Sequence, residues 1–288
     1  MQRVLSTYRY VHQPLSASLL GEIAHSEIAQ IEIYCAPQHF SYRSQETVRD
    51  LAGMLSDTRL EVFSLHSPTE RDLAPGRESG VPISICDTER IRRLDAMDEV
   101  KRALDVAERI PFRYLVQHIG YGRQMADPKK YDAAFSSLEN LCVFAKARGV
   151  TIALENTPDD FGAPSSLQQF VRETHLHDLK FCFDIGHAHM DRALESGFEA
   201  MRERIALIHV NDNHGEKDEH LLPHEDSVEG MVDWDAACGM ISGLSEQVPM
   251  VMELKEQTGG VPKLDQVREA FDAIEKRLGG KRPRAAKS

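Results

Sequence analysis

Six residues able to hold a cation or move a proton close six short apolar runs of the chain: His66, His118, Glu155, Asp184, His209 and Glu253. About one residue in five is Asp, Glu or His, so six such endings in succession would arise by chance roughly once in seventy. Three carboxylates brought together without a cation would repel one another and drive their pKa values up, whereas a divalent ion would satisfy them. The run IALIHVNDNHGEKDEH, Ile205 to His220, concentrates the same chemistry by adding Asn211, Asp212, Asp218 and His220 to His209. Lys255 stands two residues beyond Glu253 and so shares its face of a strand, where it could meet an anionic group on a substrate or simply lie solvated on the rim. The histidines elsewhere, His39 among them, lie in stretches without a matching role and read as surface residues.

The elements that must position these endings alternate along the whole chain. Strands are expected at about Val4 to Tyr8, Gln30 to Cys35, Glu61 to His66, Tyr114 to His118, a run ending at Glu155, a run ending at Asp184, the run from Ile205, and VPMVME ending at Glu253. Helical patterns fall near Ser18 to Ile28, Ser44 to Leu55, Asp87 to Arg109, Asp127 to Arg148, Ser165 to Thr174, from Trp234, and Lys263 to Leu278. Parallel strands with helical crossovers cannot leave either sheet face bare, so eight such units predict a single α/β domain, a (β/α)8 barrel over residues 1 to 278. A doubly wound open sheet is the alternative, but no Gly-x-Gly-x-x-Gly follows the first strand to support a dinucleotide site. In a barrel all six endings point onto the C-terminal rim, where catalysis is found in this fold. The Pro-, Gly- and Ser-rich stretch 67 to 86 reads as an active-site loop or a tolerated surface insertion.

Charge and composition narrow the class of partner. The tail GGKRPRAAKS, residues 279 to 288, holds four basic groups and no acid and is expected to be disordered; setting it aside turns the chain's net charge of −12 into −16. Such a body repels nucleic acid at long range. Five scattered cysteines without a Cys-x-x-Cys pair read as reduced thiols, and no stretch approaches the length of a membrane span, so a cytoplasmic protein is expected.

The motifs SLHSP (Ser64 to Pro68), LENTP (Leu154 to Pro158), DIGHAH (Asp184 to His189), IHVNDNHGEKDEHLLP (Ile208 to Pro223) and MEL (Met252 to Leu254) carry a resemblance. Over about residues 4 to 278 the chain resembles the xylose isomerase-like TIM-barrel superfamily, which contains sugar isomerases and epimerases as well as the endonuclease IV type of abasic-site nuclease. The first branch implies one divalent ion, Mn, Mg or Co, held by Glu155, Asp184, His209 and Glu253, with His187 on the substrate. The second implies three zinc ions, with His66, His118, His187, Asp218 and His220 as further ligands; with a single metal, His66 and His118 would serve substrate instead. The chain departs from the usual pattern after Pro223, where HEDSVEG stands in place of a Gly-rich turn.

Strands five and eight lie three steps apart in an eight-membered ring, so Glu155 and Glu253 are expected to reach the mouth from nearly opposite sides. One would remove a proton alpha to a substrate carbonyl and the other would return it, through an enediolate stabilised by the ion. That reads as a metal-dependent isomerase or epimerase of a sugar or sugar derivative. A trinuclear-zinc phosphodiesterase acting on abasic DNA and a silent sugar-binding barrel remain the alternatives. A nuclease would need a basic rim, and the loops offer only scattered cations (Arg43, Arg71, Arg77, Arg123, Lys129, Lys130).

Overall fold

The structure, a computed structural model, describes residues 1–71, 80–122, 125, 127–224, 228–244, 246–257 and 260–280. Eight parallel strands form a closed ring: β1 Arg3–Ser6, β2 Gln30–Tyr34, β3 Glu61–His66, β4 Tyr114–Gln117, β5 Thr151–Glu155, β6 Lys180–Asp184, β7 Ile205–Val210 and β8 Met250–Met252. The ring closes where β8 pairs with β1, Arg3 opposite Met250 and Leu5 opposite Met252. The longer helices pack outside it: α1 Ala17–His25, α2 Gln45–Thr58, α3 Arg90–Asp105, α4 Pro128–Lys146 and α5 Pro164–Thr174. They continue with the short α6 Ile185–Met190, then α7 Leu194–Met201, α8 Trp234–Ile241 and α9 Leu264–Gly280.

Several helices start where a polar side chain replaces a missing intrahelical partner. The side chains of Ser16, Ser44, Asp127 and Asp233 accept hydrogen bonds from the backbone N–H groups of Leu19, Thr47, Lys129 and Ala236. Some expected bounds move. The first strand stops at Ser6 because residues Thr7–Tyr10 turn into a 3-10 helix. The sequence reading placed no helix between Asp184 and Ile205, yet α6 and α7 stand there; both are too short to show a full amphipathic period. The last helix runs to Gly280, two residues past its expected end, and the rest of the tail lies outside the described residues. Of the stretch 67 to 86, the described ends pair as a two-residue antiparallel hairpin, Glu70–Arg71 with Val81–Pro82, and residues 72–79 lie outside the described set. His39 is no surface residue: it is buried between Thr7 Oγ1 and the Gln13 carbonyl, and burial pushes its imidazole down to about 4.

The inner face of the ring explains why the six endings converge. Side chains alternate across a strand, and the inward set includes Val116, Ala153, Cys182, Leu207 and Val251, which pack together as one small apolar cluster. Two residues later on each strand or at its end come His118, Glu155, Asp184, His209 and Glu253. The apolar layer is the floor and the titratable layer stands on it. The larger core, with Leu5, Ile31, Leu65, Leu154 and Phe181, fills the space between the ring and the helices. No helix among the described residues is long and apolar enough to cross a membrane, and no disulfide joins the cysteines.

Candidate metal centre

Among the described residues four sets of donor atoms meet at the rim, and Glu155 belongs to three of them, one of which pairs it with His209 and Cys182. Glu155 Oε2 lies 3.1 Å from His66 Nε2 and 3.2 Å from His118 Nε2. Its other oxygen, Oε1, lies 3.3 Å from His209 Nδ1, which is also 3.0 Å from Glu253 Oε2 and 3.8 Å from Asp184 Oδ2. The set without Glu155 comes from the loop after β7 and from α6: Asp218 Oδ1 is 2.8 Å from His220 Nε2 and 3.4 Å from His187 Nε2. In each set, one donor atom per residue lies within 4.8 Å of the others. Every metal-ligand candidate named from the sequence is therefore brought to one rim. His118 and Glu253 fall one residue beyond β4 and β8 rather than within them.

The orientation of the imidazoles tests whether these sets suit cations. His66, His187 and His220 each place Nδ1 against a backbone carbonyl, that of Ser67 at 2.9 Å, Asn156 at 2.8 Å and Glu253 at 3.1 Å. A carbonyl can only accept, so Nδ1 carries the proton and Nε2 turns a lone pair towards a carboxylate oxygen. Two lone pairs facing each other are repulsive unless a second proton or a cation lies between them. Asp218 Oδ1 shows the same frustration: it is buried and close to two imidazoles yet makes no directed hydrogen bond. The four-residue set Glu155, Asp184, His209 and Glu253, carboxylates and an imidazole, fits a divalent cation such as Mn, Co or Zn, with the Cys182 thiol beside it held neutral by burial.

With protons in the place of cations, the field of the cluster is strong. Burial would lower His209 and His187, but their neighbours win and hold both imidazoles well above their ordinary range: Cys182 first for His209, then Glu253 and Glu155, and Asp184 first for His187. His66 and His220 are raised against burial in the same way, by Glu155 and Asp218 respectively. Burial pushes the carboxylates up, yet the imidazoles, His209 foremost, hold Glu155 well below the usual range and Glu253 down at about 2. Asp218 is likewise depressed, mainly by His220. For Asp184 burial prevails over His187 and its pKa is raised.

Residues that the sequence reading passed over complete the site. Glu32, fully buried in the middle of β2, lies 3.3 Å from His209 Nε2 and accepts the Ser64 hydroxyl at 2.8 Å. Asn211 donates to Asp184 Oδ2 at 2.8 Å, and Asn156 holds both the N–H and the carbonyl of Asp184. Asp212 anchors the loop by accepting from Val232 N and Trp234 Nε1. An aromatic wall flanks one side: Tyr34 stacks on His66 with ring centroids 4.7 Å apart, and Tyr8 sits edge-on to His220 at 5.4 Å. Neither tyrosine follows from periodicity, because each lies where its strand ends or turns. Lys255, partly exposed, is ion-paired at the rim: its Nζ donates to the Asp218 carbonyl at 2.7 Å and to Oδ2 at 2.8 Å. Donor chemistry rather than cavity size locates the centre. A cavity of about 650 Å³ beside the loops after β5 and β6, lined by Pro158, Asp159, Met190 and Arg192, touches none of the donor residues.

Comparison with known proteins agrees with this architecture. The uncharacterized protein MJ1614 of Methanocaldococcus jannaschii is 31% identical over 180 residues, covering 59% of this chain, which in turn spans 66% of that protein's length. A probable endonuclease 4 of Haloarcula marismortui is 26% identical over 204 residues, 62% of this chain and 69% of that one. Among solved structures, a D-tagatose 3-epimerase-like protein superposes with a TM-score of 0.75 at 21% identity, covering 96% of this chain and all of that one. An L-ribulose 3-epimerase superposes with a TM-score of 0.74 at 14% identity, covering 99% of both. At these identities the superpositions establish the fold. The family described as xylose isomerase-like TIM barrel matches residues 21–277, nearly the whole ring and its helices. The chain belongs to the xylose isomerase-like TIM barrel family.

Proposed function

We propose that the protein is a divalent-metal-dependent isomerase or epimerase of a sugar or sugar derivative, working by proton transfer. The observation that carries this reading is the meeting of Glu155 and Glu253, from β5 and the end of β8, at one donor set: both carboxylates reach His209 Nδ1, at 3.3 and 3.0 Å. Glu155, Asp184, His209 and Glu253 would hold the ion. When bound, it would polarise a substrate carbonyl and stabilise negative charge on its oxygen. Of the two glutamates, one takes the proton from the carbon alpha to that carbonyl and the other delivers a proton to the opposite face or to the neighbouring carbon. Both are buried and held as carboxylates by the imidazoles, so one can take the substrate proton as it stands, whereas the one that delivers must first be protonated from solvent. His66, His118 and His187 line the same mouth and would contact the sugar's hydroxyls.

The electrostatics of the rim favour a small substrate over a polyanion. Three of the described rim cations are paired locally: Lys255 with Asp218, Arg43 with Glu99, and Arg71 with Asp95 at 4.0 Å. The likeness in fold to a D-tagatose 3-epimerase-like protein and an L-ribulose 3-epimerase supports the same class of chemistry. The test is solvent exchange. The Mn²⁺-loaded protein, offered ketoses, aldoses and inositols in deuterated water, exchanges a carbon-bound proton of its substrate, and Glu155→Gln or Glu253→Gln abolishes that exchange.

A second reading, phosphodiester cleavage at a three-metal centre, is favoured by one observation. The sets His66, His118, Glu155 and His187, Asp218, His220 stand assembled beside the four-residue set, and a proton-transfer enzyme with one ion has no need of them as ligands. The likeness to a probable endonuclease 4 points the same way. Three zinc ions per chain, together with incision of abasic DNA and no exchange on any sugar, would replace the first reading with this one.

A further inference from the structure

Among the histidines of the centre, His209 is held differently. His66, His187 and His220 give Nδ1–H to backbone carbonyls, which are neutral and fixed by the fold. His209 instead turns Nε2 to the side chain of Glu32, 3.3 Å from Oε1 and 3.4 Å from Oε2, where both residues are fully buried. Glu32 takes one further hydrogen bond, from Ser64 Oγ, and its Oε1 has no other hydrogen-bond partner. No Lys or Arg forms an ion pair with it among the described residues. A carboxylate with so few donors is costly to bury, and nothing in the packing of β2 demands it.

We infer that Glu32 is a positioning residue for the cation centre: it fixes the proton of His209 on Nε2 and so keeps the Nδ1 lone pair turned towards Glu155, Asp184 and Glu253. The inference rests on the reading that those four residues hold a cation. Its physical basis is the tautomer. Three carboxylates surround Nδ1, at 3.0, 3.3 and 3.8 Å, and each would accept a proton placed there. Without an acceptor at Nε2, His209 would carry its single proton on Nδ1, give it to Glu253 or Glu155, and close the position a cation needs. A charged acceptor does more than a carbonyl, since it also makes the imidazole a stronger donor to a cation. His66, His187 and His220 manage with backbone partners, although His187 also meets oxygens of Glu155, Asp184 and Asp218.

The experiment compares the wild type with Glu32→Gln and Glu32→Leu, both near-isosteric. Glutamine keeps an acceptor without the charge; leucine keeps neither. Mn²⁺ binding is measured by calorimetry, folding by circular dichroism, and the His209 tautomer by nitrogen-15 shifts of its ring in the metal-free protein, at a pH high enough for the ring to have given up its second proton. Removing the partner of a metal-bound imidazole typically weakens the metal about 10–100-fold. Glu32→Leu is expected in that range with the His209 proton moved to Nδ1, and Glu32→Gln is expected between it and the wild type with the proton still on Nε2. A merely structural role would lower the melting temperature while leaving both the affinity and the tautomer as in the wild type, and that result overturns the inference. A wild type that takes up no Mn²⁺, Co²⁺ or Zn²⁺ overturns the cation reading itself, whatever the variants do.

Discussion

Gly186 follows Ile185 at the start of α6, and replacing it with alanine probes how tightly the ligand-bearing strands and loops are interlocked. A Cβ at this position would lie 1.9 Å from Asn211 Oδ1 and 2.9 Å from Asn213 Nδ2, distances that no packed pair of atoms sustains. Asn211 is fully buried and donates to Asp184 Oδ2 at 2.8 Å, and Asn213 donates to the Gly186 carbonyl at 2.9 Å. Making room means moving Asn211. A lost hydrogen bond to a charged group costs about 1.5–3 kcal/mol, and overpacking a core typically costs about 1–3 kcal/mol. Helix propensity favours alanine over glycine by up to ~1 kcal/mol. The net for Gly186→Ala is therefore on the order of 2–5 kcal/mol of lost stability, read from urea unfolding midpoints. The double variant Gly186→Ala/Asn211→Ala separates the clash from other causes, because deleting the asparagine side chain opens the space the methyl needs. The two substitutions should then cost clearly less together than the sum of each alone. A single variant within about 0.5 kcal/mol of the wild type, or strict additivity in the double variant, would refute the reasoning.

Other expectations concern the chemistry and the charges. Glu155→Gln and Glu253→Gln should each lower substrate proton exchange by about 10²–10⁴-fold or more, since each removes a base as well as a donor to the ion; exchange within tenfold of the wild type in either variant counts against a two-glutamate mechanism. Stripping metal with a chelator and restoring Mn²⁺ at 100 times its dissociation constant should raise stability by about 2.7 kcal/mol per site, and an unchanged melting temperature would show that no ion binds the folded state. The metal-free protein should be most stable at about pH 6.5, because buried His39, held down to about 4, withdraws stability as pH falls below 6.5. The raised imidazoles of His187 and His209 stabilise fully below 6.5 and lose that contribution as pH rises through their folded values, while Glu253 stabilises fully above 4.5 and loses it as pH falls towards 2. Asp184, raised by burial, opposes the acid-side trend only in part. Unfolding midpoints that climb from pH 6.5 to 9 without metal would contradict this. Lys255→Met should cost under ~1 kcal/mol, because its ion pair with Asp218 is about a third exposed on both sides, 31% and 38%; a larger loss would mean the pair fixes the loop.

The six strand endings were legible because a titratable residue after an apolar run is unusual and the barrel sends every such ending to one rim. Glu32 was not legible, for a reason rooted in the same fold. The segment QIEIY alternates like a half-exposed strand, and a period of two marks one face as different without saying whether that face meets water or the inside of a ring. The signal was present all the same: a parallel barrel buries both faces of each strand, so a glutamate in mid-strand needs a partner. The helices after β6 were hidden by a double use of Asp184, which ends the strand and caps α6 through His187 N at 2.6 Å. The tyrosine wall depends on how β1 and β2 turn at their ends, which composition does not encode. Lys255 was placed on the correct face, but its partner, Asp218, comes from a different loop and is known only in three dimensions.

The closure of the ring between β1 and β8 also sets an order of events in time. β1 pairs with β2 on one side soon after both are made, but its other edge waits for Met250 to Met252. At the usual pace of translation, about 5–20 residues per second, that edge stays unpaired for roughly 10–50 s. During this interval the nascent chain is an open sheet with a growing edge at one end and β1 at the other, each a row of unsatisfied backbone groups able to capture a strand from a neighbouring chain. The donor atoms mature in the same order: His66, His118 and Glu155 are all present almost a hundred residues before Glu253. A chain that stops short of Met250 is consequently not a smaller barrel but an unsealed one, with two exposed edges and carboxylates gathered around an imidazole that still lacks its last neighbour.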